Sequence, residues 1–257
     1  MPENVVKEAL KGLYTHIVGR RILHYAVVNS TMDVTALEGG LGGEDGLVVV
    51  ADEQTKGRGR LERQWVSLAG NLHISVLLRP EPARAHLVTM LATVAAVRAI
   101  RSTTGLAARL KWPNDVFLRG RKVAGILAES RVTSGSNGSV VLGIGVNVNA
   151  SPSDEHGLAS IATSLLAEKG VPVDRAAVLR QLMMELDSLY GELKQGIVPL
   201  QEWRGYLDTL GRQVRFEWRG ETRHGLAEDV DDNGNLVLRL QDGSHIVLPA
   251  GEVGYLR

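Results

Sequence analysis

A change of hydrophobic pattern near residue 210 constrains this chain more than any other feature. Up to about residue 208, β-rich runs alternate with helical ones. The strand-like runs are RILHYAVV (21–28), GLVVVAD (46–52), HISVLL (73–78), VAGILAESRV (123–132) and SVVLGIGVNV (139–148). Helical patterns cover 31–38 behind Ser30 or Thr31 as N-cap, the Ala/Leu/Val-rich 83–103, 174–194 behind Asp174, and 198–208. SGSNGS (134–139) reads as a flexible hairpin loop. From 211 to 257 only short strands remain, RQVRFEWRG, TRHGLAEDV, NLVLRL and SHIVLP, punctuated by the tight-turn sequences DDNGN and QDGS. The expectation is an α+β chain with a large domain over 1–208 and a small β-barrel over 209–257.

Composition narrows the class. A chain of 257 residues buries roughly 70 to 75 % of its unfolded surface and needs no covalent staple. Cysteine is absent, which removes disulfides, thiolate catalysis, Cys zinc sites and iron–sulfur clusters together and suits a reducing cytoplasm. Lys plus Arg and Asp plus Glu both number 29, so there is no generic attraction to nucleic acid or to a membrane surface. The C-terminal zone has six Arg and no Lys against eight Asp or Glu, the wrong sign for an oligonucleotide-binding barrel. Glu3, Lys7, Glu8 and Lys11 sit where a signal peptide needs apolar residues. The apolar stretches 47–51 and 91–97 are far shorter than a membrane span. The start reads as one short amphipathic helix, with no room for a DNA-binding domain before it. A cytoplasmic protein without sequence-specific duplex binding at physiological salt is therefore expected.

Several chemistries lack their signatures. No G-x-x-x-x-G-K-[ST], G-x-G-x-x-G or G-x-S-x-G occurs, and the seven His show no metal-ligand spacing on a helix. Chemistry concentrates instead in three segments. DEQTKGRGRLERQW (52–65) interleaves Lys56, Arg58, Arg60 and Arg63 with Gly57 and Gly59; glycines let backbone approach a ligand, and arginine forks match phosphate or carboxylate. RLKWPNDVFLRGRKVAGILAE (109–129) carries Lys111, Asn114, Asp115 and Lys122 around a turn, because Pro113 keeps Trp112 out of the helical region. GIGVNVN (143–149) ends an apolar strand with two glycines and two asparagines. Each has a plainer structural reading taken alone: a solvated basic loop, an exposed strand-end lysine, a glycine bulge.

Together and in this order, GRGRxxRxW, KWPNDV, GRKVAGILAE and GIGVNVN resemble the biotin protein ligases. An upstream NST adds the turn that lines the family's biotin pocket. The resemblance runs from about residue 20 to 257. It implies a catalytic domain with a mixed sheet, like that of class II aminoacyl-tRNA synthetases, followed by an SH3-like barrel. It also implies two-step chemistry: biotin and ATP form biotinyl-5′-adenylate, and a carrier-domain lysine of a carboxylase then takes the biotin.

The family's site residues carry over by position. Ser30, Thr31 and Gln54 correspond to the holders of the biotin head, small polar groups suited to a ureido ring with one acceptor and two donors. Met32, next in the turn, stands where Asn is usual. Gly57, Arg58, Gly59 and Arg60 form the loop over biotin and adenylate, with Arg63 nearby and Glu62 in a place usually held by Gly. Lys122 corresponds to the lysine beside the biotin carboxylate and the α-phosphate, and with Arg60 it makes the catalytic pair; Gly125 lets ligand approach the backbone. Trp65, Lys111, Asn114 and Asn147 fall on the nucleotide side, and Asp115 is the acid for Mg²⁺ accompanying ATP. Homodimers occur in the family. Two other readings stay open: a lipoate-type acyl-adenylating ligase on the same scaffold, and a non-enzymic biotin sensor.

Overall fold

The computed structural model describes residues 5–131, 138–152, 157–249 and 251–256. Val132, most of the expected hairpin loop (134–137), His156 and Arg257 lie outside the described residues. The first part contains strands β1 (Ile22–Val28), β2 (Val48–Gln54), β3 (Leu72–Leu78), β4 (Arg109–Lys111), β5 (Asp115–Leu118), β6 (Arg121–Arg131) and β7 (Ser139–Val146). They form one mixed sheet in the order β1-β2-β3-β7-β6-β5-β4. β1 and β2 are parallel, with helix α2 (Thr31–Gly40) between them in sequence, and every other neighbouring pair is antiparallel. KWPND is the turn between β4 and β5, as the Trp112–Pro113 pair requires.

Both faces of this sheet are covered, and β3 shows why all its residues are buried. Leu72, Ile74, Val76 and Leu78 join the main core with helices α3 (Val88–Thr104) and α5 (Arg175–Lys194). Leu77 points the other way, into a small cluster with Met32 of α2, Leu47 and Val141. Period-two alternation thus divides one strand between the main apolar core and a second face where Leu77 is apolar and His73 and Ser75 are polar. The N-cap Asp174 opens α5 as its sequence predicts, accepting from Ala176 N at 2.8 Å and Ala177 N at 3.2 Å. Asp187 on the buried side of α5 accepts from the backbone N–H groups of His16, Ile17 and Val18, which anchors the chain ahead of β1. The first described element is helix α1 (Val5–Leu10).

One expectation needs correction. Pro82–Thr104, a 3₁₀ turn leading into α3, is long and apolar enough to cross a membrane. Most of it is buried inside the fold, against the sheet and α5, which explains its composition without a bilayer. Two short helices follow, α4 (Leu165–Lys169) and α6 (Leu200–Tyr206), of which only the second has a clear sequence signal.

The C-terminal residues form a separate antiparallel sheet of β8 (Gln213–Trp218), β9 (Glu221–Val230), β10 (Leu236–Arg239), β11 (His245–Leu248) and β12 (Val253–Tyr255), in the order β11-β10-β9-β8-β12. Four strands follow the predicted pattern; β12, three residues long, has none. This sheet shares the main core through Val214, Phe216, Leu236 and Leu238. Trp112 ties it down with two bonds, from N to Thr209 Oγ1 and from Nε1 to Gly234 O, both 2.9 Å.

His73 of β3 is 1 % exposed, with Nε2 3.3 Å from Leu68 O and Nδ1 unpartnered. Burial pushes its pKa from 6.5 down to about 4. The folded value lies below the unfolded one, so between those pH values unfolding takes up a proton. Stability from this residue is intact above pH 6.5 and falls as pH drops towards 4. The loss is about 1.4 kcal/mol per pH unit. Urea titrations at pH 7 and 4.5 should therefore show His73→Gln losing about 2 kcal/mol less than wild type; equal losses would refute this account.

Candidate active site

A cavity of about 670 Å³ opens on the α2 side of the sheet. Ser30, Thr31, Met32, Gln54, Arg58, Gly59, Arg60, Arg63, Trp65, Lys111, Asn114, Asp115, Lys122, Gly125 and Asn147 all line it. Segments far apart in sequence therefore converge on one space. Gly57 stands behind the lining, where a Cβ would lie 2.5 Å from Trp65 O and 2.7 Å from Ser67 Oγ.

The inner end is polar and pre-arranged. Gln54 Oε1 accepts from Thr31 N at 2.8 Å and from Thr31 Oγ1 at 3.0 Å, and its Nε2 donates to Ser67 Oγ at 2.9 Å. Thr31 Oγ1 lies 2.7 Å from Ser75 Oγ on β3, a partner that no sequence motif singled out. Ser30 occupies the N-cap position of α2, yet its hydroxyl makes no capping bond. That hydroxyl is buried without a partner at the cavity wall. A buried polar group left unsatisfied is costly, so Ser30 Oγ marks a place for a ligand's polar atom.

Glycines form the floor. Gly143 and Gly145 lie two residues apart on β7, and Gly125 of β6 is the register partner of Gly145. All three face α2. A Cβ at Gly143 would meet Met32 Sδ at 2.7 Å, and one at Gly145 would meet Trp65 Cε2 at 2.4 Å. The β6–β7 register runs without a break, so the glycines are a flat floor and not a bulge. Trp65 lies against this floor with Nε1 buried and unpartnered. Lys122 Nζ is 5.5 Å from the Trp65 ring centre and 2.6 Å from Asp115 Oδ1.

The glycine–arginine loop is a small hairpin over the cavity. Gly59 N donates to Arg63 O at 2.7 Å and Arg63 N to Arg60 O at 3.1 Å. Leu61 and Glu62, at its tip, have φ of 52° and 59°. Gly adopts that left-handed conformation freely, whereas another residue there costs about 1 kcal/mol. Glu62 thus occupies a position whose backbone suits the family's usual Gly. Ion pairs tether the loop: Arg58 to Asp33 and Glu129, and Arg63 to Glu252 at 2.7 Å. Arg60 donates to Asn114 Oδ1 at 3.0 Å, and burial holds its pKa below the ordinary guanidinium range. Asn114 also donates to Ile126 O at 2.6 Å, so its amide acts as a strut that aims Arg60. Asn147 is committed likewise, donating to Thr163 O at 3.0 Å.

The outer end holds residues that sequence reasoning missed. Asp208, Arg212, Glu252 and Tyr255, from the C-terminal sheet and the linker into it, line the same cavity. No motif marks them, because their only signal is proximity in the fold. Pro152, Leu158, Ile161 and Ala162 make an apolar wall alongside. Ile161 O accepts from Lys122 N, and Thr163 N donates to Lys122 O, which fixes this wall to β6.

Comparison with known proteins agrees with this geometry. The Biotin/lipoate A/B protein ligase family matches residues 25–147, and the Biotin protein ligase C terminal domain matches 209–253. The bifunctional ligase/repressor BirA of Bacillus subtilis is 35 % identical over 238 residues, covering 90 % of this chain and 73 % of that protein. The biotin–[acetyl-CoA-carboxylase] ligase of Paracoccus denitrificans is 37 % identical over 214 residues, covering 80 % of this chain and 88 % of the relative. Among solved structures, the Aquifex aeolicus biotin protein ligase in complex with biotin and ATP superposes with a TM-score of 0.80 at 26 % identity, over 93 % of this chain and 99 % of that one. With a polar pocket, a glycine floor and a cationic loop in one cavity, and relatives matched along nearly its whole length, this chain belongs to the biotin protein ligase family.

Proposed function

We propose that this chain joins biotin to ATP and transfers the biotin to a lysine of a carboxylase biotin-carrier domain. The observation that carries the reading is a single cavity that couples a polar end for a small neutral ring to a cation-rich end for phosphates. In the first step a biotin carboxylate oxygen attacks the α-phosphorus, and the bond to the departing pyrophosphate breaks. In the second the carrier's ε-amine attacks the mixed anhydride carbonyl, loses a proton, and AMP leaves.

Ser30, Thr31, Met32 and Gln54 hold the biotin head in this reading, with Ser30 Oγ free to bond the ureido group. Gly125 and the neighbouring floor glycines take the body of the ligand against the backbone. Lys122 and Arg60 stand where negative charge builds in both steps, so catalysis rests on positioning and preorganised cations without a protein nucleophile. Arg58, Gly59 and Arg63 cover the intermediate, Gly57 shapes their loop, and Trp65, Lys111, Asn114 and Asn147 serve the nucleotide side. Among the described residues no group of three acids forms a metal cage. A single carboxylate suits Mg²⁺ carried on phosphates, which keeps most of its other ligands as water and phosphate oxygen. Asp115, at the cavity wall, fits that role; when bound, the ion spreads phosphate charge.

We also infer a division into a class II synthetase-like catalytic domain, 1–208, and an SH3-like domain, 209–257. The change from mixed to antiparallel sheet at Gln213 and the match starting at 209 support it. Absence of cysteine supports work in the cytoplasm. Homodimerisation is consistent with family habit.

Incubation with ATP, a carrier domain and either biotin or lipoate tests the reading. The carrier should gain the mass of one biotin with release of AMP. Transfer of lipoate in preference would identify the acyl ligase of the other kind. Biotin binding without AMP release would identify a sensor.

A further inference from the structure

Lys111 presents an unusual electrostatic situation. Its ammonium lies 4.8 Å from the ring centre of Tyr255 and 5.7 Å from that of Phe117, and it has no ion pair or hydrogen bond among the described residues. Burial pushes its pKa below the ordinary lysine value. The same Tyr255 ring holds a second cation, with Arg212 Cζ 4.7 Å from its centre. Arg212 has its own carboxylate, Asp208, at 2.8 Å, and so is balanced, whereas Lys111 is not. Tyr255 is steadied in turn by its hydroxyl, 3.2 Å from Thr209 Oγ1. The carboxylates that act on Lys111, Asp115 and Glu252, are each paired elsewhere, with Lys122 at 2.6 Å and Arg63 at 2.7 Å, so a half-buried ammonium caged by aromatic rings and facing a cavity has room for a further anion.

The cavity tells which anion. Beyond Lys122 its walls differ in character: Leu158, Ile161 and Ala162 are apolar, while Lys111 and Arg212 carry positive charge beside Asp208 and Glu252, which are paired with Arg212 and Arg63. A nucleoside suits the first wall and a polyphosphate the second. We propose that Tyr255 is a positioning residue whose ring holds Lys111 beside Arg212 as the seat of the pyrophosphate leaving group. This rests on the ligase reading above. Tyr255 touches neither reacting atom; it acts through the two cations, and it brings the C-terminal sheet into the first chemical step.

The test uses the full chain and measures ATP KM, the calorimetric Kd of inorganic pyrophosphate, and the Kd of biotin without ATP. Tyr255→Leu should raise the first two about five- to tenfold and leave biotin affinity unchanged. Tyr255→Phe keeps the ring and should stay within about twofold of wild type. If Tyr255 acts through Lys111, adding Tyr255→Leu to Lys111→Met should cost much less than it does in wild type. Arg212→Gln should weaken pyrophosphate binding too, which keeps the inference testable should Tyr255→Leu not fold. Equal impairment by Leu and Phe, additive effects, or unchanged pyrophosphate affinity in Arg212→Gln would overturn it. Direct pyrophosphate binding separates this outcome from failure of the ligase reading, which would appear as a wild type that forms no biotinyl adenylate.

Discussion

Lys122→Ala should slow biotin-dependent pyrophosphate release by about 10²- to 10³-fold, the usual cost of removing one preorganised charge from a developing oxyanion. The ion pair with Asp115 pushes the effect towards the upper end. Lys122 Nζ lies 2.6 Å from Asp115 Oδ1 and offsets its charge. Without the lysine, an uncompensated carboxylate faces a substrate carboxylate and a triphosphate, so attraction turns into repulsion. Folding should survive, since the Lys122 side chain is about a third exposed and outside the apolar core. Thermal melts and pyrophosphate release measured on the same preparation separate the two effects. Near-normal release by a folded mutant would remove Lys122 from the catalytic pair.

Arg60→Gly should shorten retention of the adenylate by about 10- to 100-fold, because a charge-assisted hydrogen bond contributes roughly 1.5–3 kcal/mol. Arg60 is held by Asn114 beneath a hairpin whose other tethers are partly exposed ion pairs. Such pairs contribute little each, so the loop opens cheaply and the half-buried Arg60 guanidinium is what a bound phosphate would lock. Retention should suffer more than synthesis. The freed intermediate should then acylate lysines indiscriminately. Arg60→Lys keeps charge but loses the fork and should be intermediate. Adenylate off-rates decide it: a Gly mutant that holds the intermediate as long as wild type shows that the loop is not a lid.

Much of this molecule was legible before folding because its signals are local. Alternation in 73–78, the cap at Asp174, the Trp112–Pro113 turn and the turn sequences of the C-terminal zone each encode their own backbone. The glycine–arginine loop, KWPND and the paired glycines of GIG each had a plainer reading alone, and only their order, through its resemblance to the biotin protein ligases, pointed to a ligand site. The plainer reading of GIG as a bulge fails only once Gly145 is seen opposite Gly125 in an unbroken ladder.

Other features come from distance in sequence brought to nearness in space. Ser30 reads as a helix cap, but its hydroxyl is left for the cavity. Asn114 and Asn147 read as ligand groups, and in the fold their amides also brace the Ile126 and Thr163 backbone at the cavity wall. Asp208, Arg212, Glu252 and Tyr255 carry no motif, and they reach the site because Trp112 bonds Thr209, 97 residues away, and draws the second sheet against the first. The sequence by itself determined most of the strands, the longer helices and the tight turns, for those depend on neighbours within a few residues, whereas the short β4, β5, β12 and α4 carried no clear signal. Only the tertiary structure decided which polar atoms remain free for a ligand, because that depends on which partners the whole fold brings within hydrogen-bonding reach.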